Sequence, residues 1–191
     1  SAGSTLYELI WPLHTGDFAG PLSKAVWVGL GTAMCYVILS GMQLWVRRRE
    51  DAALWRGFGR AVTITAYGLP FAMTAAAHGF FLSLPAGNPF YWTPMGFVLA
   101  ALACIAVGVF AGDGGNLTQR FRRLLGAACV ALPIVRMAMG GLGWADAVVQ
   151  GQGAVLSFDL MFLVLGALLF RWATWQPHGR PAGDPLPEPA E

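Results

Sequence analysis

The amino-acid sequence predicts an all-α fold, a polytopic membrane helix bundle of about five transmembrane helices. Composition is the first observation behind this: of 191 residues, 56% are hydrophobic and only 12% charged, whereas soluble domains carry about a quarter charged residues. Mean hydropathy is +0.56. The second observation is a series of apolar runs of membrane length, interrupted by glycine, proline or basic clusters. The third is where the basic residues fall. Arg47, Arg48, Arg49, Arg56, Arg60, Arg120, Arg122, Arg123, Arg171 and Arg180 lie at one set of run ends, and Lys24 alone lies at the other. Lysine and arginine concentrate in cytoplasmic loops, so that asymmetry orients the bundle with the C-terminus cytoplasmic. The net charge of +2 is too small to point to nucleic acid as a partner. The partner that composition implies is the lipid bilayer.

Residues 1–22 mix Tyr7, Trp11, Pro12, His14 and Phe18 with polar residues, which suits a periplasmic or interfacial segment with rings at headgroup depth. The first span runs from about Ser23 to Val46, long enough at about 1.5 Å per residue to cross a core of about 30 Å. The Arg47–Arg60 loop holds five arginines with Trp55 and Phe58 between them, and reads as a short surface helix. The second span runs from about Ala61 to Leu84, and Gly68 and Pro70 are expected to kink it. Pro85-Ala86-Gly87-Asn88-Pro89 ends it, and Phe90-Tyr91-Trp92 forms an aromatic belt ahead of a third span from about Thr93 to Ala111. Arg120-Phe121-Arg122-Arg123 precedes a fourth span, about Leu124 to Leu142, with Pro133 inside it. Gly143–Gly153 reads as a short polar turn, and the fifth span runs from about Ala154 to Trp175. The domain plan is thus an N-terminal segment 1–22, a bundle 23–175 and a proline-rich, acidic tail 176–191, expected to be disordered and cytoplasmic. The chain opens at Ser1 without an initiating Met or a signal-peptide pattern, and is read as the C-terminal membrane portion of a longer protein.

Inside a span an ionisable side chain needs a partner to offset its desolvation, and function is the default reading. His78 lies roughly six residues, about 9 Å, from the outer end of the second span. Arg136 lies at a similar depth in the fourth, and Asp159 about five residues into the fifth. All three share one layer of the outer leaflet, with His14 just above it. Ala75, Ala76, Ala77 and Gly79 flank His78; small residues of this kind admit either a flat group or another helix. An imidazole on such a surface suits axial ligation of haem iron, and it equally suits a hydrogen bond to a neighbouring helix. Arg136 and Asp159 read most simply as an interhelical ion pair. The sharper alternative has Arg136 binding a haem propionate through its planar fork. His14 is either a solvated interfacial histidine or a ligand held in the turn that Pro12, Gly16, Gly20 and Pro21 specify. Met residues at helical spacing are read as packing, and His178 is given no role. Cys35, Cys104 and Cys129 all sit in apolar runs without a CxxC or CxxCH motif, so they behave as small hydrophobes.

Leu13-His14-Thr15-Gly16 … Phe18-Ala19-Gly20, then a span with Ser40-Gly41 near its inner end, then Trp45-Val46-Arg47-Arg48-Arg49, resembles the PepSY-associated transmembrane family. These are bacterial inner-membrane proteins, many of them iron-regulated. The resemblance covers about residues 12–49 closely. It implies a longer chain whose N-terminal membrane helix carries its own histidine and is followed by periplasmic PepSY domains. It also implies, for some members, a haem-containing ferric-siderophore reductase that delivers electrons to a periplasmic ferric chelate. Carried over, the resemblance implies that His14 and His78 are the axial ligands of an outer haem b. No histidine lies on the inner halves of these spans for a second haem. Two rival functions stand beside this one: a non-redox membrane anchor for periplasmic PepSY domains, and a helper subunit in metal uptake.

Overall fold

The computed structural model describes residues 8, 10, 11, 20–49, 52–110 and 117–174. His14, His178 and the tail from residue 175 onward lie outside the described residues. The chain divides into two compact units, Ser1–Val62 and Thr63–Glu191.

The first unit contains α1, Gly20–Arg47, and α2, whose helical residues Ala53–Thr63 begin here. The window of α1 that is long and apolar enough to cross a membrane has none of its residues buried. Its surface is Val, Leu, Ile, Met and aromatic side chains, which lipid covers as well as protein does. The hydroxyls on it turn inward on their own helix: Thr32 donates to the Val28 carbonyl at 2.7 Å and Ser40 to that of Val37 at 3.1 Å. A polar group in hydrocarbon needs such a partner. At the basic end, Trp45, Trp55 and Phe58 meet edge to face.

The helical run that starts at Ala53 continues to Ala86. The expected surface helix and second span are therefore one run, because arginine favours helix and extends to the interface without ending it. The kink expected at Gly68 and Pro70 takes the form of a π turn over Ile64–Gly68. Pro70 has no N–H and its ring crowds the preceding turn, and the wider turn just before it fits that obstruction.

In the second unit, α3 (Leu69–Ser83) is followed by a 3₁₀ turn Leu84–Ala86 and by α4 (Pro89–Phe110). Gly87 closes the connection at φ 76°, a left-handed conformation that glycine adopts without a Cβ penalty. The belt Phe90-Tyr91-Trp92 thus forms the first turn of α4 instead of preceding it. Then come α5 (Leu117–Ala138), the short α6 (Trp144–Val149) and α7 (Gly153–Thr174).

Helices α3 and α4 form an antiparallel hairpin packed backbone to backbone. A Cβ on Gly79 would stand 2.6 Å from the Trp92 carbonyl, and one on Gly96 would stand 2.9 Å from that of Ala75. Helices α5 and α7 repeat the device: a Cβ on Gly166 would lie 2.8 Å from the Gly126 carbonyl. Close approach of this kind drives helix association where both surroundings are apolar. Leu125, Cys129 and Leu169 make the buried centre, with Tyr67, Phe71 and Phe162 against it. Gly166→Val is accordingly expected to cost about 1–3 kcal/mol by overpacking, read as a lower thermal midpoint in detergent. Gly29→Ala, where a Cβ meets nothing within 4 Å, should leave the midpoint in place.

Among the described residues, four helical runs are long and apolar enough to cross a membrane: Leu22–Arg47, Ala53–Ala86, Pro89–Phe110 and Gly153–Thr174. Helix α5 is as long as α7 at 22 residues. It falls short of that apolarity because Arg120, Arg122, Arg123 and Arg136 lie within it. Three of these cluster in its first two turns, at the end that a basic anchor occupies. The fourth, Arg136, is taken up in the site described next.

Candidate functional site

Helix α5 ends two residues after Arg136 because the chain there turns through Gly140 at φ 93°. The Gly141 N–H donates to the Arg136 carbonyl at 2.9 Å and the Gly140 N–H to that of Met137 at 3.3 Å. This is a Schellman closure, which satisfies carbonyls that a helix end leaves without partners. The fourth span therefore stops at Ala138, short of the expected Leu142, and Arg136 sits in the last helical turn, not two turns deep. A cation is favoured at that negative end of the helix dipole.

The same turn brings the chain back over Arg136. Its Nε donates to Asp159 Oδ1 at 3.2 Å and its Nη2 to Oδ2 at 2.6 Å, while Nη1 donates to the Leu142 carbonyl at 2.8 Å. Trp144 Nε1 donates to the same Asp159 Oδ2 at 2.9 Å. The two charged side chains are only 13% and 8% exposed, so the pair is shielded and its hydrogen bonds are what offset the desolvation. Gly143–Gly153 is thus more than a polar turn. It contains α6, whose first residue, Trp144, caps the ion pair, and it links α5, α6 and α7 at one point. Two of the five guanidinium N–H groups of Arg136 remain for another acceptor. Its bidentate edge is occupied by Asp159.

His78 lies on α3, half-buried. Its Nδ1 is 2.9 Å from the Thr74 carbonyl one turn back, and only the N–H tautomer at Nδ1 makes that a hydrogen bond. The other nitrogen, Nε2, is then the one with a lone pair, the arrangement usual in metal-bound histidines. Thr74 keeps its own hydroxyl on the Pro70 carbonyl at 2.9 Å. The small residues beside His78 are used by protein: Ala75, Ala76 and Gly79 lie against α4 at Gly96 and Trp92. Of the two guests such a surface admits, a helix is the one present.

At the end of the bundle opposite the ion pair, Arg122 Nε donates to the Tyr67 hydroxyl at 3.0 Å. The Arg122 guanidinium lies over Trp172 at 4.9 Å and over Tyr67 at 5.5 Å. One end of the unit thus carries the Arg136–Asp159 pair, and the other carries an arginine held between rings. His14 lies outside the described residues, so its position relative to His78 is not part of this geometry. Among the described residues no three or more His, Cys, Asp or Glu side chains come together as a metal site.

Residues 1–48 match the family model described as the PepSY-associated TM region. Over those residues the chain is similar to the PepSY-associated TM family. That match takes in the His14 motif and α1 and stops at Arg48, so His78, Arg136 and Asp159 lie beyond it. No curated protein and no solved structure matches the chain. The protein is a helical membrane protein, with several helices suited to cross a bilayer.

Two residues around the ion pair escape sequence reading. From sequence, Trp144 reads as a belt anchor or as a ring packed on a haem edge, and nothing there signals the bond of its indole N–H to Asp159, 15 residues away in the chain. The Leu142 carbonyl has no sequence signal at all, since every residue but its neighbours could supply one.

Proposed function

We propose that this PepSY-associated membrane protein holds haem b near the periplasmic face of the bacterial inner membrane and serves ferric-chelate reduction in iron acquisition. The arginine-bearing ends of α1, α5 and α7 would face the cytoplasm, and the C-terminus with them. One observation carries the reading: the Nδ1 of His78 is tied to its own backbone, which fixes the ring and leaves Nε2 as a ligand nitrogen in a half-buried, apolar setting. His14, inside the matched residues 1–48, would be the second axial ligand.

The residues present fit a haem in three respects. His78 offers an imidazole nitrogen, Nε2, that its own backbone does not use. Arg136 keeps donors for a propionate beside those it gives to Asp159. Trp144 and Asp159 hold that guanidinium in one orientation, so a propionate would meet a pre-set cation. Haem bound between two histidines supplies a one-electron iron couple with no open position, which suits electron transfer over oxygen binding. The chain's own work is to orient His78, to exclude water from it with α4 and α5, and to present Arg136.

A second reading has its own support. Every buried side-chain N and O among the described residues has a hydrogen-bond partner, and α4 already fills the small-residue surface beside His78. That is the arrangement of a bundle built to anchor periplasmic PepSY domains, with His78 as a helix-bonded structural residue.

Mixing the dithionite-reduced protein, freed of excess reductant, with a ferric siderophore separates the two. The redox reading expects the reduced haem band to decay as ferrous iron appears, one haem oxidised per iron reduced. A reduced protein that stays reduced in the presence of the chelate rejects the reductase assignment.

A further inference from the structure

The basic end of α1 carries a surface that neither His78 nor the ion pair uses. Gly41, Leu44, Trp45 and Arg48 recur at three- and four-residue spacing and so share one helix face. Together with Arg49 they line a groove of about 420 Å³. At Gly41 the groove is open, since a Cβ there meets nothing within 4 Å. The Arg49 guanidinium lies over Trp45 at 4.8 Å and over Trp55 at 5.6 Å, and those two rings pack edge to face at 4.5 Å. Two π faces hold the cation in place, so little side-chain freedom is left to lose when it binds an anion.

The chemistry of the groove changes along its length. Its arginines stand just past the end of a membrane-length apolar run, at headgroup depth, beside a tryptophan of the kind that sits there. Gly41 and Leu44 lie deeper in the apolar run, Gly41 about 10 Å from Arg48 along the axis at seven residues' rise. A ligand that fits carries a phosphate at one end and an apolar chain at the other. We propose that Arg48 and Arg49 bind the headgroup phosphate of one anionic phospholipid, whose acyl chain lies along Leu44 and over Gly41. Guanidinium forks bind phosphate bidentately, and a basic pocket beside a span is the setting in which anionic lipid is recognised.

The test is native mass spectrometry of the full chain, released from neutral detergent and titrated with phosphatidylglycerol, phosphatidylcholine or inorganic phosphate. One phosphatidylglycerol per chain is expected to bind more tightly than phosphatidylcholine. Arg48→Gln is expected to weaken that binding about fivefold, the ratio equivalent to about 1 kcal/mol for one basic residue at an anionic surface. Gly41→Leu should weaken it too, by filling the space for the chain while both arginines remain. Arg49→Gln also removes the cation from two rings, so Arg48→Gln, which disturbs no ring contact, is the deciding variant. Equal affinity for the two lipids, or an Arg48→Gln protein that binds as the parent does, overturns the proposal. Full displacement of phosphatidylglycerol by inorganic phosphate overturns the lipid assignment and leaves a phosphate site.

Discussion

Replacing Asp159 by alanine is expected to destabilise the bundle by about 3–5 kcal/mol, the cost of stranding one member of a buried ion pair. The size follows from what Asp159 does. Its carboxylate takes both Nε and Nη2 of Arg136 and also the Trp144 indole. Without it a shielded guanidinium keeps only the Leu142 carbonyl, and Trp144 loses its acceptor. Asp159→Asn should fall between, since an amide oxygen still accepts but carries no charge. The double variant Arg136→Met/Asp159→Leu should be more stable than either single alanine variant, because an apolar pair strands no charge. Thermal unfolding in detergent measures all four, and near-ultraviolet circular dichroism reports whether Trp144 has come loose. An Asp159→Ala protein with an unchanged midpoint would show that the pair is dispensable to the fold.

The second large effect concerns His78. In protein expressed with added haem, His78→Ala is expected to lower haem content from about one per chain to near zero, with helicity retained. Helicity should survive because the bond that is lost, from Nδ1 to the Thr74 carbonyl, is an extra on a carbonyl already inside its helix. Thr74→Val leaves that backbone carbonyl in place and should retain haem. His78→Gly with imidazole in the medium should recover part of the haem signal, which a purely structural histidine would not do. The same loss is expected for His14→Ala. Pyridine haemochrome assay of each purified variant gives the number directly. Unchanged haem in His78→Ala would remove His78 from the ligand set.

Helix content and the membrane class were legible because both rest on composition and run length, and each apolar run became a helix. Helix limits were less legible. The run from Ala53 to Ala86 passes through Arg56 and Arg60 without a break, because a basic residue marks a hydrocarbon boundary but does not stop a helix. The end of α5 was misplaced by four residues, since apolar Met139 and Leu142 continue the pattern while Gly140, one of 25 glycines, turns the chain. The structure brings Arg136 and Asp159 together, and both were visible as charges too costly to leave alone in a span. Trp144 and the Leu142 carbonyl were not visible, because a loop closure sets them there. The small residues beside His78 were legible as a surface for close approach, but sequence does not say what approaches. Gly96, on the next helix, answers for Ala75 and Ala76.

The central claim is that this membrane bundle is a haem protein. A dithionite-reduced minus oxidised absorbance spectrum of the detergent-purified chain, expressed with haem supplied, tests it most directly. The account predicts a sharp b-type α-band at about one haem per chain. A colourless protein with no difference band, folded and helical, would contradict it and leave a non-redox anchor for periplasmic PepSY domains.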